Sequence, residues 1–380
     1  MAGKHPPSIW QGVSWALERG RAGGGLSRPG LGWRAFSATV AHGKALRRWM
    51  AVLHERQQRG LLDDLPGEYL RAIRPYVQRH TGVEARVNQL IDHTDWLDTA
   101  LQPDALKKLA LGKPVILAEL PPPRGCEYMR LQLQRSAPTS PEGELLLTLT
   151  LRRSADVQPS ALPVDVAALG FSRFRIDGMA CFVIGGVRGQ RSPAARLSAV
   201  ELGNALQGWK PPVFMVRVAQ ELARWWSLHL VALNPASHRL QGWPYRWSRR
   251  YRDAAQRIYE SYDALWQHFA AKNGPLGWVV VPLNSDEKLE ATALSPEKRA
   301  RQTRRADFWL RTRNLLRHEF RHHLVRLARE VPLGRATENL GPRTVADDRT
   351  DWNDLDDDAF QSSEDMVPSR AFETGPASLL

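Results

Sequence analysis

The segment VAALGFSRFRIDGMACFVIGG, residues 166–186, decides how the chain is read. Two apolar runs flank Asp177-Gly178, a dipeptide that takes the positive φ values of a tight two-residue turn, so the segment reads as a β-hairpin. Just upstream, ELLLTLTLRR alternates Leu145, Leu147, Leu149 and Leu151, and EYMRLQLQR alternates Met129, Leu131 and Leu133. That period of two marks strands with one face turned to a core. The SAPTSPEG segment between them supplies the turn chemistry for a second hairpin.

Further out the period changes. ALRRWMAVLHER and GVEARVNQLIDHTDWL place apolar residues three and four apart, which predicts helices through residues 35–112. After the hairpins come two helical segments, LSAVELGNALQG and PVFMVRVAQELARWW. The second carries Phe214, Val218, Leu222 and Trp225 on one stripe, with Pro211 and Pro212 at its entry. LHLVALN reads as a strand, RDAAQRIYESYDALWQHF as a helix and GWVVVPL as a strand. A very basic helix then opens at Ser295, a ready N-cap. The expected fold is α+β: a mixed, mainly antiparallel sheet with helices packed on it, preceded by a helical region. The divisions expected are a disordered basic start (1–34), the helical region (35–112), the mixed domain (113–330) and a disordered acidic tail (331–380).

Composition limits the partners. The chain carries a formal net charge of +13, which favours anionic ligands: phosphorylated cofactors, acidic lipid surfaces, or nucleic acid. Nucleic acid is the weakest of these, since no helix-turn-helix or zinc-finger signature is present. Charge is also uneven. Residues 1–60 hold ten Lys/Arg against Glu18 and Glu55, whereas residues 331–380 hold eleven Asp/Glu against four arginines. The two cysteines, Cys126 and Cys181, make no disulfide framework and point to a reducing compartment. No window approaches a membrane span, so a cytoplasmic protein is expected, with peripheral contact at the inner membrane left open.

Several segments together resemble the VirK/YbjX (DUF535) family of bacterial proteins. They are RPYVQRHTGVEARVNQLIDHTDWL, EGELLLTLTL, FVIGGVRG, LQGWKPPVFMVRVAQELA, LHLVALNPASH, YDALWQHF, GWVVVPL and SPEKRARQTRR, in the family's order across roughly residues 40–310. The chain departs from the family at three places. Arg188-Gly189 stands where the family has Gln-Gly, and Gly208-Trp209-Lys210-Pro211-Pro212 where it has Gly-x-Arg-Pro-Lys. Gln302 stands near an expected aromatic. The resemblance implies a role in virulence, stress or envelope integrity, including tolerance of antimicrobial peptides, without a settled reaction.

Four stretches are candidates for chemistry. The first is Gly185, Gly186, Arg188, Gly189, Gln190 and Arg191, where glycines after a strand stand beside arginines. Such a turn can cradle a pyrophosphate on backbone amides. Hairpins, a strand, a basic glycine-containing loop, a helix and a strand are also the layout of GNAT-type acyltransferases, so acyl-CoA or an acyl carrier protein is the cofactor this reading nominates. The loop pattern itself is not met, since Arg191 occupies its first glycine position, and a plain tight turn is the alternative. The second is Tyr262 and Asp263 with His238, a polar set near a strand end and a candidate for moving protons. Aromatics on an apolar helix stripe are more often core. The third is His318-Glu319-Phe320-Arg321-His322, which spells the H-E-x-x-H of zinc hydrolases. The flanking Arg317 and Arg321 argue against a cation, and no metal is expected. The fourth is the basic helix, with eleven Lys/Arg between Lys298 and Arg329; Lys298, Arg299, Arg304 and Arg305 are its nominated anion-binding residues. A solvated face, or one masked by the acidic tail, is the alternative. Two classes of function follow: an acyltransferase, or a non-catalytic protein that binds anionic envelope lipid or nucleic acid.

Overall fold

The computed structural model describes residues 8–22, 28–74, 77–78, 81–138, 140, 142–154, 162–189, 199–237, 262–283 and 295–327. The hairpin that anchors the sequence reading is present. Strand β4 (Val164–Ile176) turns at Asp177 and Gly178, with φ of 49° and 78°, into β5 (Met179–Gly189), and Ile176 pairs with Met179. The second hairpin joins β2 (Cys126–Arg135) to β3 (Leu145–Arg153), with Leu133 opposite Leu147 and Leu131 opposite Leu149. A strand not singled out above, β1 (Val115–Leu120), adds antiparallel to β2. Strands β1 to β5 therefore form an antiparallel meander.

The chain then crosses over. Helices α6 (Ala199–Ala205) and α7 (Pro211–Trp225) carry it to β6 (His229–Leu233), which lies parallel to β5. A parallel neighbour needs such a crossover, because a short turn cannot reverse the strand direction twice. Two short strands, β7 (Lys272–Asn273) and β8 (Trp278–Val280), complete an eight-stranded sheet of order β1-β2-β3-β4-β5-β6-β8-β7.

Period-two sequence on this sheet feeds two cores. Met129, Leu131, Leu133, Leu145, Leu147, Leu149 and Phe182 point to one face, where Phe214, Val218 and Leu222 of α7 cover them. Phe174, Ile176, Cys181, Val183, Val231 and Leu233 point to the other, where helices α2 (Arg28–Gln58), α3 (Leu65–Arg71) and α4 (Val83–Ala100) pack. Helix α4 reaches both cores, through Leu90 to the second and Trp96 to the first. The helical region up to residue 112 therefore shares both cores with the sheet.

Within the first 34 residues lies helix α1, Ile9–Ala22. Ala16 is fully buried, and a Cβ at Gly12 would come within 2.0 Å of the Tyr69 ring. The glycines that make this stretch look unstructured let α1 lie directly on α3. Cys126 and Cys181 are both free, on strands β2 and β5. Among the described residues no helix is long and apolar enough to cross a membrane.

Candidate functional site

The glycine pair does not form a turn. Strand β5 runs through Gly189, and the ladder to β4 pairs Gly170 with Gly186 and Phe171 with Ile184, which leaves Gly185 as a bulge. The reason for the glycines is the loop between β2 and β3. A Cβ on Gly185 would stand 2.3 Å from the Glu142 carbonyl oxygen, and one on Gly186 2.8 Å from Glu142 Cγ. Glu142 also pairs with Arg188, its Oε2 3.1 Å from Nη1. Gly185, Gly186 and Arg188, nominated above for a phosphate cradle, thus seat a loop of the protein itself. Gln190 and Arg191 lie outside the described residues.

The proton-transfer candidates also come apart. Tyr262 is the first described residue of helix α8 (residues 262–268) and is buried. The Val187 N–H donates to its hydroxyl oxygen at 2.8 Å, and the hydroxyl donates to the Val187 carbonyl at 3.4 Å. The β5–β6 ladder ends at Ile184 and Ala232, so this phenol occupies β5 just beyond the last pair. Asp263 is exposed and accepts from Gln267 at 2.7 Å, away from Tyr262's buried hydroxyl. His238 lies outside the described residues.

A different set of residues converges. Helix α6 ends in a Schellman motif: the Gly208 N–H reaches the Gly203 carbonyl at 2.6 Å and the Gln207 N–H that of Asn204 at 3.0 Å. Gln207 and Gly208 take φ of 52° and 86°. The bare Cα of Gly208 admits Arg301, whose Nε would lie 2.9 Å from a Cβ there. Trp209 fastens the same junction. Its indole N–H donates to the Arg305 carbonyl at 3.3 Å, and the Arg305 guanidinium lies 4.4 Å over its ring. Lys210 is the N-cap residue of α7 in extended backbone, with Pro211 and Pro212 behind it.

The result is a cavity of about 770 Å³ between the α6–α7 connection, the end of β5 at Gly189, and the first turns of α9 (Pro296–His323). Its cations are Lys210, Arg301 and Arg304; Asn204 and Gln207 add amides, and Val166, Leu202 and Trp209 form an apolar floor. Among the described residues no Asp or Glu lines it. Among the described residues no carboxylate pairs with any of the three cations. Prolines at the first two positions of α7 remove two amide donors, so the attraction for an anion comes from side-chain charge and the helix dipole.

The basic helix is divided in its duties. Arg304 faces the cavity, and Arg305 stacks on Trp209. Lys298 and Arg299 are exposed on the first turn, where the Lys298 amide meets the Ser295 cap at 3.4 Å. Lower down, Arg313 and Arg317 reach Glu221 of α7 at 2.8 and 3.5 Å. Glu221 is only 3% exposed and also pairs with Arg224. Of the nominated residues, Gly189 and Arg304 meet in one place. Lys210 and Arg301 were not nominated. The signal that marks Lys210 is a cation directly before a Pro-Pro helix start, in the run where the resemblance expects Gly-x-Arg-Pro-Lys.

The residues that line the cavity fall inside one matched stretch. The model of the family described as "Protein of unknown function (DUF535)" matches residues 32–313. The chain belongs to the DUF535 family. No curated protein and no solved structure matches. In this DUF535 chain the H-E-x-x-H spelling lies near the end of α9: His318 Nδ1 is 3.2 Å from Glu319 Oε1, and Glu319 Oε2 is 3.5 Å from His323. Among the described residues no three His, Cys, Asp or Glu come together as a metal site would need.

A second, polar trough of about 680 Å³ also touches Gly189 and is lined by Gln132, Gln134, Thr150, Asp165 and Arg188 among others. Thr150 donates to Asp165 at 2.8 Å. Burial raises the Asp165 carboxyl above its ordinary range, against the pull of Thr150 and Arg188.

Proposed function

We propose that this DUF535 chain binds a phosphate-bearing small molecule in the cavity of Lys210, Arg301 and Arg304. The single observation that supports this most is that three cations from two elements converge on one cavity, with no carboxylate among the described residues of its lining. Like charges held together repel, and a polyanion that enters relieves that repulsion while gaining charge-assisted hydrogen bonds. Arginine suits this task because its planar fork meets phosphate oxygens in pairs. The apolar floor at Val166, Leu202 and Trp209 gives room for an uncharged portion of the ligand, and Asn204 and Gln207 supply amides that orient it.

Coenzyme A phosphates fit this chemistry, as do those of a nucleotide. Acyl transfer is not part of the proposal, because the phenol of Tyr262 is bonded to the Val187 backbone and Asp263 stands in water. A role in virulence, stress or the cell envelope rests on the family resemblance of the segments alone. The reading is a binding protein.

The test is thermal unfolding of the full chain with and without pyrophosphate and acetyl-coenzyme A. A ligand that binds only the folded state raises the midpoint, by the equivalent of about 2.7 kcal/mol at a hundred times its Kd. The double variant Arg301→Ala/Arg304→Ala should unfold at the same midpoint without ligand and lose at least about tenfold in affinity. Equal shifts in both proteins would move the anions elsewhere on the basic surface and end the proposal.

A further inference from the structure

Helices α1 and α2 pack on each other and on the second core through Ala16, Leu31, Ala35, Ala38 and Leu46. The outer side of the first turns of α2 is apolar where a solvated helix would be polar. Along α2, Trp33, Phe36 and Val40 follow at three- and four-residue spacing and are 55%, 42% and 65% exposed. Trp10 of α1, 54% exposed, joins them: its ring lies 6.1 Å from Phe36, and Phe36 lies 5.7 Å from Trp33. Single exposed aromatics need no explanation, whereas a contiguous group of three marks a surface that meets something.

The same stripe continues past the irregular residue His42 into Lys44 and Arg47, both exposed. Among the described residues no carboxylate pairs with either one, while the neighbouring Arg48 lies 3.8 Å from Glu84. Indole and phenyl rings beside unpaired cations fit the headgroup level of a bilayer. There the rings sit at the acyl boundary and the cations meet lipid phosphates. A second copy of the chain fits less well, since symmetric pairing through this face would bring two sets of like charges together.

We propose that this α1–α2 face docks on a lipid surface that contains anionic headgroups, with Trp10, Trp33 and Phe36 entering the interface and Lys44 and Arg47 on the phosphates. The proposal is independent of the ligand in the α7–α9 cavity. Flotation of the full chain with vesicles of phosphatidylcholine, alone or mixed with phosphatidylglycerol, tests it. Binding is expected to the mixed vesicles and to be much weaker on the neutral ones. Trp33→Ser/Phe36→Ser should weaken it at least about tenfold, and so should Lys44→Gln/Arg47→Gln, which leaves the aromatics in place if the first pair disturbs folding. Arg301→Ala/Arg304→Ala should bind as the parent does. Equal partition of both surface variants, or equal binding to neutral vesicles, would overturn the assignment. So would a concentration-dependent dimer that Trp33→Ser/Phe36→Ser dissolves, with no vesicle binding, since the face would then belong to a second copy.

Discussion

Glu142 reaches from the β2–β3 loop over the middle of β5, and three glycines make way for it. Its backbone and side chain lie within 2.3 to 2.8 Å of where Cβ atoms would stand on Gly170, Gly185 and Gly186. The carboxylate then holds Arg188. Because the nearest atom to Gly185 is backbone, a methyl there forces either the loop or the bulge to move. Gly185→Ala is expected to cost roughly 2–3 kcal/mol in urea unfolding, whereas Gly189→Ala, which meets nothing within 4 Å, should unfold like the parent. This is also where sequence was least legible. A glycine that permits close packing and a glycine that turns a chain are spelled alike, and the loop that needs the space lies some forty residues upstream. Asp177-Gly178 was legible because its two strands flank it directly.

Among the helices, α9 is held by what it does with its charge. Its buried stripe is Phe308, Thr312, Leu316 and Phe320, while Arg313 and Arg317 close on Glu221 of the buried helix α7. Removing one partner of a buried pair leaves the other charge uncompensated. Glu221→Gln should lower stability by about 2 kcal/mol, less than for a fully buried pair, since the arginines reach water. Amide exchange should quicken along α9 more than along β2 or β3; uniform change would remove Glu221 as its anchor. The sequence showed that this helix is basic and where it starts, at the Ser295 cap. It did not show which arginines face an acid and which face a cavity, because that choice depends on α7, eighty residues earlier in the chain.

For the molecule as a whole, acid sensitivity follows from one histidine between α4 and the sheet. His93 is 1% exposed, and its Nδ1 accepts the Arg173 N–H at 3.0 Å. Burial, and then the nearby Arg71, Arg56, Arg135 and Arg173, hold its pKa well below the ordinary value of 6.5. The folded protein thus keeps this ring neutral where the unfolded chain would protonate it. Stability contributed by the neutral ring is intact above pH 6.5 and falls as pH drops below it, by about 1.4 kcal/mol per pH unit until the folded value is reached. His93→Asn keeps an acceptor for Arg173 and should flatten urea midpoints between pH 7 and about 5.5; an unchanged slope would assign the acid loss to other groups.

The parallel β5–β6 pairing bears on the order in which the fold can assemble. Strands β1 to β5 meet their neighbours across local turns, but β6 reaches β5 only after a detour of some forty residues through α7. Joining distant segments carries a larger loop-closure cost than zipping adjacent ones. The meander is therefore the early, self-sufficient half, and Val231, Leu233 and Trp278 arrive late to finish the surface on which α2 and α4 settle. A chain caught before that step would hold a formed sheet with Phe174, Ile176 and Val183 in place and only part of the seat for its amino-terminal helices.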